Sequence, residues 1–337
     1  MPVKHWSFAG LLLTYWCNAR CADCYVCGAP EAAGDMRVDD ALAFWEQLQS
    51  ASPHGCRIHI GGGEPFGRWE TLIELTRRAA GAGLGPLEAV ETNAFWATDE
   101  QLVRRRLAAL DAAGMGRLTI SADPYHQQYV PIARPRLAAK VAAEALGPGR
   151  VRVRWRDWLA EGFDTDGLDA GGRAEVFRGW LSRGRDRLTG RAAGELAGLA
   201  QLKPAGAFAD SPCREPLLRS RHVHVDGAGI VCPGTCAGIV LGRAGVGQSV
   251  GEIGKRLRRR FADGDSLRGG EAAGCEVLSA LVGGGPAALL EAARPTGYAV
   301  RPEGYAGKCH LCWDVRRWLF DRGRHPDELA PGVVYGR

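Results

Sequence analysis

Short β-type runs alternate with amphipathic helical stretches from Phe8 to about Arg156, and this alternation limits the possible fold more than any other feature of the chain. The runs Phe8–Tyr15, Arg57–Ile60, Leu87–Thr92, Arg117–Ser121 and Val151–Trp155 are rich in apolar or β-branched residues and read as strands. Between them, Asp39–Gln49, Trp69–Ala82, Asp99–Ala113 and Pro135–Leu146 read as helices. Two open with helix-starting chemistry: Asp39 before Ala41–Leu48, and Thr98 with Asp99 and Glu100. Repeated βα units predict an α/β fold whose parallel sheet is closed or partly closed as a barrel. Functional groups then collect where strands end and loops begin.

The stretch from Glu161 to Asp210 is rich in Gly, Ala and Arg with poor periodicity, and a sixth barrel unit with a linker is expected there. After Pro212 the character changes. Arg221–Val225, Asp226-Gly227 and Gly229–Cys232 spell a β-hairpin with a tight turn, and helical stretches around Ala287–Ala293 and His310–Asp321 follow. This predicts a barrel over residues 1–205 and a small α+β domain over residues 206–337.

A chain of 337 residues with 46% hydrophobic and 24% charged residues buries a full core without staples. Its net charge of +5 comes from arginines spread along the chain, so nucleic acid is not an expected partner. The apolar run Phe8–Trp16 is too short to span a bilayer and lacks both a basic leader and a small-residue cleavage site. A cytoplasmic protein without membrane association is expected. In such a protein eleven cysteines point to metal binding or catalysis before disulfides.

Cys17, Cys21 and Cys24 follow directly on the first strand, spaced so that one loop can turn three thiolates toward one point. Thiolates suit iron–sulfur clusters and zinc alike, and Cys27 could complete a small zinc loop. Gly61-Gly62-Gly63-Glu64-Pro65 follows the second strand, where backbone without side chains can approach a ligand or simply make a turn.

Together these two loops resemble the radical S-adenosylmethionine (SAM) superfamily. The resemblance implies a partial (β/α)6 barrel and a [4Fe–4S] cluster ligated by Cys17, Cys21 and Cys24, with SAM chelating the fourth iron. It implies that Gly62 to Pro65, with Gly61 beside them, hold the methionyl amino group. It implies too that reductive cleavage of SAM gives a 5′-deoxyadenosyl radical, which removes hydrogen from an unactivated C–H bond. A reductase such as flavodoxin or ferredoxin would supply the electron. The family's usual aromatic residue before the third cysteine is Asp23 here, leaving Tyr25 or Trp16 to pack against the adenine.

Asn93 ends the third strand and Ser121-Ala122-Asp123-Pro124-Tyr125-His126 the fourth. Similar positions in the family contact SAM or substrate, which makes Asn93, Ser121 and Asp123 candidate SAM contacts and Tyr125 and His126 candidate catalytic groups, His126 as an acid or base. Turn or capping chemistry is the competing explanation. Arg152, Arg154 and Arg156 alternate with Val151, Val153 and Trp155, so one face of the fifth strand would carry three guanidiniums. Arg154, the central one, is a candidate ligand for the SAM carboxylate or an anionic substrate.

Cys213 and Cys232 bracket the predicted hairpin, and Cys309-His310-Leu311-Cys312 opens the last helix. Two separated cysteines and a C-x2-C pair can close a four-thiolate site around zinc or a [4Fe–4S] cluster. The pattern resembles the twitch domain, a shortened relative of the SPASM domain, and implies one auxiliary [4Fe–4S] cluster. Cys236 is then an inert thiol, a substitute ligand or a hydrogen donor to the substrate. The substrate expected is a small molecule or a peptide residue. With no leader-binding domain ahead of the first strand, a polar or anionic metabolite is favoured, and the reaction is oxidation, epimerisation, cross-linking or rearrangement. The reading of another class is a non-catalytic zinc or iron–sulfur protein.

Overall fold

The computed structural model describes residues 3–184, 186–245, 247–261 and 275–337. Its strands are β1 (Phe8–Thr14), β2 (Arg57–Gly62), β3 (Leu87–Thr92), β4 (Arg117–Ile120), β5 (Val151–Val153), β6 (His222–Asp226), β7 (Ile230–Pro233) and β8 (Gly242–Arg243). They form one sheet in the order β5-β4-β3-β2-β1-β6-β7-β8. β1 to β6 run parallel, and β7 and β8 add on antiparallel. β1 is central and covered on both faces, which explains why its sequence is a nearly continuous apolar run. Leu11, Leu12 and Leu13 are all buried. Each contributes roughly 1.5–3 kcal/mol by that burial.

Helices α1 (Val38–Ala51), α2 (Trp69–Gly81), α3 (Glu100–Ala112) and α4 (Ala133–Leu146) connect the parallel strands where the periodicity placed them. Asp99 caps α3 by accepting from Leu102 N, as its position before the apolar repeat predicts. Asp39 instead lies in the first turn of α1, where a carboxylate meets the positive end of the helix dipole.

The sixth strand is not within Glu161–Asp210. That stretch holds the helices Ala170–Leu181 and Arg191–Glu195, and β6 takes the place beside β1, with Phe8 opposite His222 and Leu12 opposite Asp226. The hairpin read from Asp226-Gly227 exists as β6–β7, but its first strand also completes the parallel sheet. A turn signal identifies the antiparallel neighbour and carries no information about the other edge. Next to the end of β5, with Val153 and Trp155 packed against it, lies a second apolar cluster that includes Tyr125, Ile132, Trp158, Phe177, Trp180 and Leu188. No helix among the described residues is long and apolar enough to cross a membrane.

Candidate active site

β1 ends at Thr14, and the chain folds back as a loop over the carboxyl edge of the sheet. Cys17 N donates to Ala29 O, Ala29 N to Tyr15 O and Met36 N to Leu13 O. Arg191, from far along the chain, clamps this loop: Nη1 donates to Cys21 O at 2.9 Å, Nη2 to Gly28 O at 2.8 Å, and its backbone N to Cys24 O at 3.0 Å. The sequence gives no local sign of this role. Cys17, Cys21 and Cys24 all line the cavity beneath the loop, whereas Cys27 points away, its Sγ against Val334 O.

The glycine loop follows β2 into the same cavity, which Gly61 to Glu64 line and Pro65 does not. Gly63 N donates to Thr14 O at 2.6 Å and Glu64 N to Trp16 O at 2.8 Å. A Cβ on Gly63 would lie 2.1 Å from Trp16 O, and one on Gly62 2.4 Å from Thr14 O. The glycines are thus required by the cysteine loop's own backbone, a closer constraint than approach to a ligand. The buried Glu64 carboxylate ties this loop to the end of β3, accepting from Phe66 N at 3.1 Å, Thr92 Oγ1 at 2.8 Å and Asn93 N at 2.7 Å. Burial pushes its pKa up to about 7 against those hydrogen bonds.

Asn93 lines the cavity and reaches the cysteine loop, Nδ2 donating to Asn18 Oδ1 at 2.9 Å with Cys17 Sγ at 3.7 Å. Ser121 also faces the cavity. Asp123 does not: its buried carboxylate accepts from Tyr125 N, His126 N and the His126 ring, with Nδ1 to Oδ2 at 2.7 Å. Asp123 therefore holds His126, which stands against Cys21 and Asp23 at the cavity wall. Burial alone would lower the His126 pKa, but the Asp123 carboxylate and the Cys21 sulfur outweigh it and hold the imidazole well above its usual value. Tyr125 is turned the other way; its hydroxyl donates to Asp186 and its ring packs edge-on against Phe177.

Of the three arginines expected on one strand face, only Arg154 lines the cavity: β5 stops at Val153 and Arg156 begins a short helix, while Arg152, within β5, is exposed and does not line it. The guanidinium lies open to the cavity yet is surrounded by protein. Burial would depress its pKa, but Glu91, Tyr25, Asp23 and Asp123 raise it and keep it charged. Tyr25 lines the cavity, whereas Trp16 packs outside against Phe95 and beneath Arg68. Glu91, His59 and His224 complete the walls; alternation along the strands put them on the inner face but gave no sign of function.

A second thiol-lined pocket sits between the loop after β7 and the helix Lys308–Asp321. Its thiols are Cys213, Cys236, Cys309 and Cys312, with Leu217, Ile239 and Leu281 as apolar walls and Arg187, Lys308 and Arg316 as cations. Cys232, expected as the fourth member, is absent from it. On β7 it faces the same way as its cross-strand partner His224 and is buried near Asp226 and Tyr15, because residues four apart on a strand and its following turn point differently. Cys236 takes its place. The buried Arg316 donates to Ala237 O at 2.9 Å and to Tyr335 Oη at 3.0 Å, leaving Nε without a partner.

Both thiol sets fit clusters better than single ions. Thiolates around one zinc ion lie about 3.8 Å apart, given Zn–S bonds of about 2.3 Å. Among the described residues, the groups whose ligand atoms close within 4.8 Å include neither Cys17/Cys21/Cys24 nor Cys213/Cys236/Cys309/Cys312. Cluster thiolates bind different irons and stand farther apart. The orphaned Arg316 Nε and the cations beside the second set also suit an anionic group there.

The geometry thus defines an α/β protein with one thiol-lined cavity at the carboxyl edge of its parallel strands and a second thiol-lined pocket against the helix Lys308–Asp321. No family model and no curated protein matches the chain. Among solved structures it is similar to BtrN in complex with AdoMet and 2-DOIA, at 17% identity over 76% of this chain and 88% of that one, with a TM-score of 0.43. It is also similar to native anSMEcpe with bound AdoMet and Cp18Cys peptide, at 14% identity over 94% of this chain and 97% of that one, with a TM-score of 0.43.

Proposed function

We propose that the chain is a radical SAM enzyme in which Cys17, Cys21 and Cys24 hold a [4Fe–4S] cluster with one iron open to SAM. The observation that carries this reading is the meeting of those three thiols with Gly61–Glu64, Asn93 and Ser121 on one cavity at the carboxyl edge of a parallel sheet. When bound and reduced, the cluster supplies the electron that cleaves SAM to methionine and a 5′-deoxyadenosyl radical. The chain's own residues bind and orient. Gly61 to Glu64 hold the methionyl amino group, with the Glu64 side chain fixing that loop against Asn93. Arg154 receives a carboxylate, and Tyr25 takes the adenine packing that Asp23 cannot provide. His126, locked by Asp123, places positive charge beside Cys21 and acts on the cluster's electrostatics in place of substrate acid–base work.

Cys213, Cys236, Cys309 and Cys312 hold an auxiliary [4Fe–4S] cluster. With Cys236 committed as a ligand, the only thiols lining the active cavity among the described residues are the three of the SAM cluster. With no further thiol on that cavity to return hydrogen to a product radical, oxidation or rearrangement is favoured over epimerisation. The polar walls, Arg154, Glu91, His59 and His224, favour a small polar or anionic metabolite over a peptide. A low-potential reductase of the flavodoxin or ferredoxin kind supplies the electron in the cell.

The test is anaerobic reconstitution followed by reduction in the presence of SAM. Wild type is expected to hold about eight irons per chain and to form 5′-deoxyadenosine. Replacing Cys17, Cys21 and Cys24 together by Ala removes about half the iron and all SAM cleavage. Continued formation of 5′-deoxyadenosine by that variant overturns the reading.

A further inference from the structure

Barrel interiors are ordinarily filled by branched aliphatic side chains. Below the active cavity this one holds three imidazoles. His59 on β2 and His224 on β6 lie opposite the same residue of β1, Gly10, and His222 sits one inward position below His224. Inward-facing β1 residues at this level would normally carry side chains. A Cβ on Gly10 would come within 2.2 Å of His224 Cδ2 and 2.5 Å of His59 Nε2, so the glycine provides the space in which the rings meet. Gly234 does the same for His222, whose Nδ1 would lie 2.3 Å from a Cβ there.

From this arrangement we infer that His59, His222 and His224 bind one divalent first-row transition metal ion of zinc's class, leaving an open coordination position toward the active cavity. One ring nitrogen from each residue lies within 4.8 Å of the other two, and His59 Nε2 and His222 Nε2 are 2.9 Å apart. Nitrogens around one tetrahedral zinc stand about 3.3 Å apart, given Zn–N bonds of about 2.0–2.1 Å, so small ring rotations seat the ion. His59 and His224 are both buried, and each keeps Nδ1 without a hydrogen-bond partner. Glu91 Oε1 stands 3.5 Å from His59 Nδ1, the place of the carboxylate that commonly orients a metal-bound histidine. Phe8 stacks on His59 and packs against His222, closing one side. Three histidines leave a zinc-class ion a further position. Because His59 and His224 line the active cavity, that position faces whatever oxygen or nitrogen the substrate presents. His222, at the start of β6 and partly accessible, marks the entry route.

This site does not rest on the proposed SAM chemistry, and its test uses neither SAM nor turnover. The full chain, anaerobically reconstituted so that its thiols are occupied by iron, is equilibrated with Zn2+ alone, freed of excess and analysed for zinc and iron. Zinc K-edge absorption gives the ligand set. The expected result is one zinc per chain bound by imidazole nitrogen at about 2.0–2.1 Å with no sulfur. His59→Ala and His224→Ala are each expected to lower zinc affinity at least tenfold with iron unchanged. No retained zinc in wild type, sulfur in its shell, or full zinc affinity in both variants overturns the inference and leaves a hydrogen-bonded imidazole cluster. Should a variant lose iron as well, the wild-type spectrum alone decides.

Discussion

Exchanging the fates of two cysteines gives the sharpest check on the auxiliary site. Cys236 lies in the pocket with Cys213, Cys309 and Cys312, whereas Cys232 is buried in the sheet near Tyr15 and Asp226. Cys236→Ala removes one of four ligands. If both clusters form in wild type, iron should fall from about eight to about four per chain as the auxiliary cluster is lost. Losing the cluster leaves the buried Arg316 without its anionic partner, so thermal stability should drop as well. Cys232→Ala removes a single sulfur from a packed position. The transfer cost is about 1 kcal/mol, comparable to one buried methylene with a small cavity added, and iron should stay near eight. The assay is iron and acid-labile sulfide per chain after anaerobic reconstitution, with EPR of the reduced protein to count clusters. Loss of iron from Cys232→Ala with full iron in Cys236→Ala refutes the assignment and restores the ligand set expected from the hairpin's flanks.

Two further outcomes follow from the active cavity. Gly63→Val should lose iron at the first site along with SAM binding, because its Cβ meets Trp16 O at 2.1 Å and must displace the cysteine loop; normal iron with weakened SAM binding would instead mean that the glycine serves only the ligand. Arg154→Ala should retain both clusters yet weaken SAM binding about 10- to 100-fold, the worth of a charge-assisted hydrogen bond of roughly 1.5–3 kcal/mol; unchanged affinity by equilibrium binding would assign the guanidinium to the substrate.

What could be read from the chain before its structure divides by the range of the interaction. The cysteine triad, the glycine loop and Asn93 were legible because each sits within a few residues of a strand end, and a parallel sheet brings strand ends to one edge whatever the details of packing. Asp123 and Tyr125 lie in an equally legible loop, yet their side chains turn inward to hold His126 and to fill the second core, a choice made by hydrogen bonds and packing within the loop. Cys236 over Cys232 depended on which way a four-residue connection after β7 curls, and no periodicity extends through a turn. Arg191 shows the limit most clearly. It is more than 160 residues from the loop it clamps, its own segment is rich in Gly, Ala and Arg, and it is recognisable only from the carbonyls of Cys21 and Gly28 that it satisfies. The three histidines fall between these cases. Their inward direction follows from strand alternation, but their convergence required β6 to pair with β1, the one strand neighbour that the hairpin signal concealed.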